Sequence, residues 1–118
     1  MTIHGTLFDL EQTLMALADP TRRALLQRLL EGEARVTELA RPFAMSLNAV
    51  SKHIRVLERA RLVTRRKAGR DHYLSINPKP LDLAAAWIEE QRTAWNTRLD
   101  ALGALLKVED AAKHEREG

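Results

Sequence analysis

No cysteine occurs among the 118 residues, which excludes disulfides, thiolate metal sites and cysteine nucleophiles together and fits a reducing compartment. No apolar run approaches the roughly 20 residues that a membrane-spanning helix needs. The opening stretch "MTIHGTLFDLEQTL" lacks a basic segment followed by an apolar one, so no secretory leader is expected. The chain is expected to work in the cytoplasm with no membrane partner. No glycine-rich phosphate cradle is visible, nor any internal repeat. Ser51 and His53 lie two apart in what reads as a helix, a spacing that turns them to different faces, so no nucleophile–base pair is implied. Enzyme chemistry and a cofactor are therefore not expected.

What is present is an ordinary globular composition, 45% hydrophobic and 30% charged, in a length that suits one domain. The core of so short a chain is small, and pairing with a second copy would enlarge it. Net charge is only +3, but it is unevenly placed. Between Ser46 and His72 stand eight cations, Lys52, Arg55, Arg59, Arg61, Arg65, Arg66, Lys67 and Arg70, against Glu58 and Asp71. That segment carries +6, so the remainder carries −3. A face that binds a polyanion requires such concentration, although a merely solvated basic surface would look the same by charge alone.

Hydrophobic spacing places the elements. Leu7, Leu10, Leu14 and Leu17 step by three, four and three, which predicts a helix over about residues 7–18. A second helix follows "ADPTRR", with Asp19 as cap, Pro20 at the first position, Leu25, Leu26, Leu29 and Leu30 inward, and Gly32 as a left-handed C-terminal residue. Thr37 is expected to cap a short helix over about 38–44 that ends irregularly at Pro42. After a turn at Ala44–Met45, Ser46 caps a helix over about 47–60. In that helix Val50, Ile54, Leu57 and Ala60 share an inward face, and Asn48, Ser51, Lys52 and Arg55 lie on the other side. "LVTRRKAGRDHYLSIN" alternates as strand, turn and strand, with the tip near Ala68–Gly69. His72, Leu74 and Ile76 share its core side. A long helix from about Pro80 to Leu106 carries Leu81, Ile88, Trp95, Leu99, Leu102 and Leu106 in a heptad-like stripe suited to helix pairing. Residues 107–118 read as a charged, flexible tail, which leaves 1–106 as a single domain.

Two short helices joined by a tight turn make a helix-turn-helix, whose second helix offers its first residues to base edges in the major groove. Here those are Ser46, Leu47 and Asn48, followed by Ser51, Lys52 and Arg55. Asparagine pairs bidentately with adenine, serine serves either kind of base, lysine and arginine reach guanine or phosphate, and leucine can touch a thymine methyl. A hairpin beside such a helix is a wing. Arg66, Lys67 and Arg70 near its tip would supply sequence-independent contacts. The expected fold is mainly α, a winged helix-turn-helix with a two-stranded hairpin and long terminal helices. The expected function is a DNA-binding transcriptional regulator. A winged-helix module for protein or RNA contact is the alternative.

The segments "LADPTRRALLQRL", "VTELARPFAMSLNAVSKHIRVLERARLVTRRKAGRDHYL" and "INPKPL…AWIEEQRTAWNTRLDALGALL" resemble the ArsR-type winged-helix transcriptional repressors over about residues 7–106. The resemblance implies a homodimer, closed by the first and last helices through Leu7, Leu10, Leu14, Ile88, Trp95, Leu99 and Leu102, that represses from an inverted-repeat operator. It implies base reading by Leu47, Asn48, Ser51 and Lys52, and wing contacts by Lys67 and Arg70. Arg61 stands where many relatives carry glycine before "LV", which would reshape that turn. Many members sense metals through cysteines in the third helix or His and carboxylate ligands on the last. "TELARPF" has no cysteine, and the last helix has no histidine before the tail, so no metal site is expected. The effector is left open. His53 reads as packed at a helix junction, with a phosphate or base contact as the alternative. Trp87 and Trp95 read as packing residues ahead of an effector pocket.

Overall fold

The computed structural model describes the backbone of residues 2–117 and the side chains of residues 9–116. Its elements are, in chain order, α1 (Thr2–Leu17), α2 (Pro20–Leu29), β1 (Ala34–Arg35), α3 (Val36–Ala40), α4 (Leu47–Arg59), β2 (Val63–Ala68), β3 (Asp71–Ile76) and α5 (Lys79–Glu117). They divide into two compact units, residues 1–84 and 85–118.

In the first unit α2 begins as its sequence dictates. Pro20 occupies the first helical position, where no N–H is needed, and the Asp19 carboxylate accepts from the Arg22 backbone N–H at 3.0 Å. The guanidinium of Arg22 donates to the carbonyls of Ala16 at 2.7 Å and Met15 at 3.0 Å, and Arg23 donates to Leu17 at 2.7 Å. Two arginines of α2 thus satisfy the open carbonyls at the end of α1, where cations are also favoured by the helix dipole. Gly32 has a positive φ of 131°, but it lies beyond a right-handed cap at Leu30, so it shapes the exit loop and does not cap the helix directly.

One expectation needs correction here and two are refined. Thr37 does not cap α3, which begins at Val36 after Arg35. Ala34 and Arg35 pair with Leu74 and Tyr73, and this strand pairing forces the helix to start at once. The hairpin therefore belongs to a three-stranded antiparallel sheet of order β1-β3-β2. A two-residue strand leaves no period to read. The hairpin loop is Gly69–Arg70, one residue past the expected tip, because Ala68 pairs with Asp71. Gly69 sits there at φ 62°, as a two-residue loop requires.

The core gathers Leu25 and Leu29 of α2, Leu39 of α3, Val50, Ile54 and Leu57 of α4, and Leu74 of β3, all nearly free of solvent. The expected inward faces of α2 and α4 are those observed, apart from Leu30, which is exposed. Pro80 lies in the first turn of α5, where proline is tolerated, and Ala84 is buried. The second unit is the remainder of α5. The helix does not end at Leu106 but continues through residues 107–117. Glu109 and Lys113 fall four apart there, in the order that supports a helix. Among the described residues no helix is long and apolar enough to cross a membrane.

Candidate nucleic-acid interface

Helix α4 is positioned at both ends by its own backbone chemistry. At the start, the Ser46 hydroxyl oxygen accepts from the Ala49 N–H at 3.1 Å, which leaves its own proton and one lone pair to offer a ligand. At the end, the Arg61 N–H donates to Glu58 at 3.0 Å and the Leu62 N–H to Leu57 at 3.0 Å. This double closure is a Schellman motif, and its left-handed residue is Arg61 at φ 60°. Glycine takes that conformation without strain; this chain holds an arginine in it. Leu62 and Leu57, the hydrophobic pair of the motif, are fully buried. Asn77 Nδ2 donates to the Arg61 carbonyl at 2.8 Å, and the Asn77 N–H donates to the Leu62 carbonyl at 2.8 Å. The residue that leaves β3 thereby fastens the turn.

With Val50, Ile54 and Leu57 locked inward, the opposite side of α4 presents Asn48, Lys52, Arg55 and Arg59 to solvent. Leu47 is also exposed, at 51%, and Ser51 is half-buried on the flank. Ser46, Leu47, Asn48, Lys52 and Arg55 thus lie together on the first turns of one exposed helix face.

His53 is turned away from that face. Its Nδ1 lies 3.3 Å from Arg22 Nη1 and 3.7 Å from Asp19 Oδ2. This settles the alternative left by the sequence in favour of packing at the α2–α4 junction. Arg22 donates to Nδ1 in the tautomer whose proton is on Nε2. The Arg22 backbone N–H, followed by the nearby His53 and Arg22 charges, holds the Asp19 carboxyl below its ordinary value.

The wing cations separate into two groups. Arg65 forks onto Glu58 of α4, with Nη2 at 2.7 Å and Nε at 3.1 Å. Arg66 forks onto Glu33, with Nη2 at 2.7 Å and Nε at 3.3 Å, and its guanidinium lies 4.6 Å from the centroid of Tyr73. Both guanidinium groups are pushed up in pKa by these bonds, and Arg66 pulls Glu33 down. Lys67 and Arg70 are exposed and make no side-chain ion pair among the described residues. Of the three wing residues singled out from the sequence, Lys67 and Arg70 are free and Arg66 is engaged. Glu33, Glu58, Tyr73 and Asn77 were not singled out. The Glu58–Arg65 spacing of seven crosses a helix end and a turn, so no periodicity signals it.

Leu7 of the dimerisation set lies outside the described side chains. Leu10 is half-buried and Leu14 exposed. In the second unit Ile88, Trp95, Leu99 and Leu102 are each at least half exposed. Within that unit these large apolar groups are exposed. Among the described residues no cluster of three or more His, Cys, Asp or Glu is placed to hold a metal ion.

Comparison with known proteins agrees with this geometry. A helix-turn-helix domain family matches residues 17–66. The chain is 40% identical over 94 residues to the HTH-type transcriptional regulator Rv2034 of Mycobacterium tuberculosis (strain ATCC 25618 / H37Rv), spanning 80% of this chain and 85% of that protein. Among solved structures, the ArsR family transcriptional regulator RHA00566 superposes with a TM-score of 0.72 at 43% identity, over 75% of this chain and 91% of its own. The homodimeric winged helix-turn-helix DNA-binding domain of Mb0332 from Mycobacterium bovis superposes with a TM-score of 0.61 at 27% identity, over 77% and 82%.

Proposed function

The chain belongs to the ArsR-type family of winged helix-turn-helix transcriptional regulators, and on that premise we propose that it acts as a homodimeric repressor on an inverted-repeat operator. The observation that carries the proposal is the two-sided character of α4. Its apolar side is fully buried, and its outer side offers an amide, an ammonium and a guanidinium, Asn48, Lys52 and Arg55, on successive turns beside the free tip cations Lys67 and Arg70.

Roles follow from side-chain chemistry. Asn48 reads adenine, Leu47 touches a thymine methyl, and Ser46 and Ser51 donate to base edges. Lys52 and Arg55 reach guanine or phosphate, and Lys67 and Arg70 hold phosphates without regard to sequence. Pairing of two chains is supported by the bare apolar residues Leu14, Ile88, Trp95, Leu99 and Leu102 and by the homodimeric Mb0332 domain. Two copies of α4 on a twofold axis would enter successive major grooves about 34 Å apart. An occupied operator keeps polymerase from the promoter, in the cytoplasm where the DNA lies.

The test is selection of duplexes from a random library by the purified protein, followed by band shifts at several salt concentrations. A palindromic consensus bound by a dimer is expected. Recovery of no preferred duplex, or tighter binding to single-stranded RNA at matched salt, would overturn the reading. Leu102→Glu should yield a monomer by light scattering and lose the shift; a dimer unaffected by that change would remove α5 from the interface.

A further inference from the structure

Neighbouring side chains on a strand point to opposite faces, and β2 uses this at Arg65 and Arg66. Arg65 turns toward α4 and grips both oxygens of Glu58; Arg66 turns the other way and grips both oxygens of Glu33, which follows Gly32 in the loop after α2. Each is a fork-to-fork pair, the geometry in which a guanidinium fixes direction as well as distance. The Arg66 guanidinium is also stacked on Tyr73, its register partner across the hairpin. One exposed ion pair leaves a strand free to pivot about it and contributes little. Two pairs on opposite faces, tied to different elements, resist rotation in both senses. They stand immediately before Lys67, where the free part of the wing begins.

We propose that the Arg65–Glu58 and Arg66–Glu33 pairs form a clamp that sets the angle of the wing against α4, making Glu58 and Glu33 positioning residues for DNA binding. The inference rests on the DNA-binding reading above. Its consequence runs against simple charge counting. Glu58 and Glu33 are carboxylates on the basic side of the molecule, so removing either should strengthen attraction to phosphate. The clamp demands the opposite, because Lys67 and Arg70 reach the backbone only while the wing keeps its register with the recognition helix.

The experiment uses the full chain and the duplex that wild type selects from a random library. Glu58→Gln, Glu33→Gln and the exchange Glu58→Arg with Arg65→Glu are compared with wild type at fixed salt. Glu58→Gln and Glu33→Gln should each weaken binding by a factor of about two to five despite the added positive charge, the range that a pair of this exposure commands. The exchange, which keeps the net charge of wild type, should restore affinity. Hydrogen exchange of the β2 and β3 amides in the free protein should speed up in Glu58→Gln and slow again in the exchange. Tighter or unchanged binding by Glu58→Gln overturns the clamp and leaves the DNA-binding reading standing. An exchange that restores neither affinity nor protection overturns it as well. A wild-type protein that selects no duplex fails the underlying reading, and the clamp falls with it.

Discussion

Replacing Arg61 by glycine should stabilise this protein. Arg61 is the left-handed residue of the Schellman motif that ends α4, at φ 60°. An L side chain in that conformation costs about 1–2 kcal/mol. Glycine avoids the cost but gives up more chain freedom on folding, about 0.5–1 kcal/mol. The difference leaves about 0.5–1 kcal/mol in favour of glycine, or roughly 2–5 °C in Tm for a chain of this length. Nothing offsets the gain, because the Arg61 side chain makes no hydrogen bond or ion pair among the described residues; its bonds to Glu58 and Asn77 use backbone atoms. Charge relief within a cluster of cations could imitate the effect, so the reference is Arg61→Ala, which removes the charge and keeps the strain. Urea unfolding of the three proteins at one concentration decides the matter. Arg61→Gly should exceed Arg61→Ala by most of the stated difference, with Arg61→Asn between them. Equal stability of the glycine and alanine variants would refute the assignment of strain to this residue.

Arg70→Ala should lower the slope of log affinity against log salt by about 0.9 for each copy bound, whereas Arg66→Ala should change it less, since Glu33 already neutralises that guanidinium; equal losses in band-shift titrations would show that Arg66 leaves Glu33 on DNA. Replacing the thymine under Leu47 by deoxyuridine removes one methyl and should cost wild type about threefold to fourfold in affinity, with no cost in Leu47→Ala; a penalty of the same size in both proteins would remove Leu47 from base reading. Asp19 has its carboxyl held below the ordinary value of 3.8 by the Arg22 backbone N–H first and by His53 and Arg22 charges after it. A folded-state pKa below the unfolded one gives stability that is present above pH 3.8 and is lost as pH falls through the folded value. Asp19→Asn, which keeps an accepting oxygen, should therefore flatten the loss of stability between about pH 5 and about pH 3, read as urea midpoints; identical slopes would contradict this.

Most of the architecture could be read from the residues because its signals are local. Asp19 with Pro20, and Ser46 before an apolar stripe, mark helix starts by a cap chemistry that needs no tertiary partner. Val50, Ile54 and Leu57 mark the inward face of α4 by period alone. The misses share the opposite property. β1 exists because Ala34 and Arg35 meet Leu74 and Tyr73 some forty residues later, and α3 starts where that pairing releases the chain. The division of the wing into held and free cations depends on Glu33 and Glu58, whose relevance is set only when the sheet brings Arg66 and Arg65 to them. At the Arg61 turn the residue type argued against a left-handed conformation, and only comparison with a family that prefers glycine hinted at it. Which side of α4 is exposed was legible; which wing arginines are held in ion pairs was not.

The strand order β1-β3-β2 leaves β2 as an open edge with unpaired backbone groups along one side. Such edges invite another strand to add on, and from there chains can stack without limit. Here five of the six residues of β2 are exposed, and Arg65, Arg66 and Lys67 fill its middle. A strand arriving from an identical chain would bring the same triplet alongside, cation facing cation across less than 5 Å. The long basic side chains of that run therefore also discourage self-association through this edge.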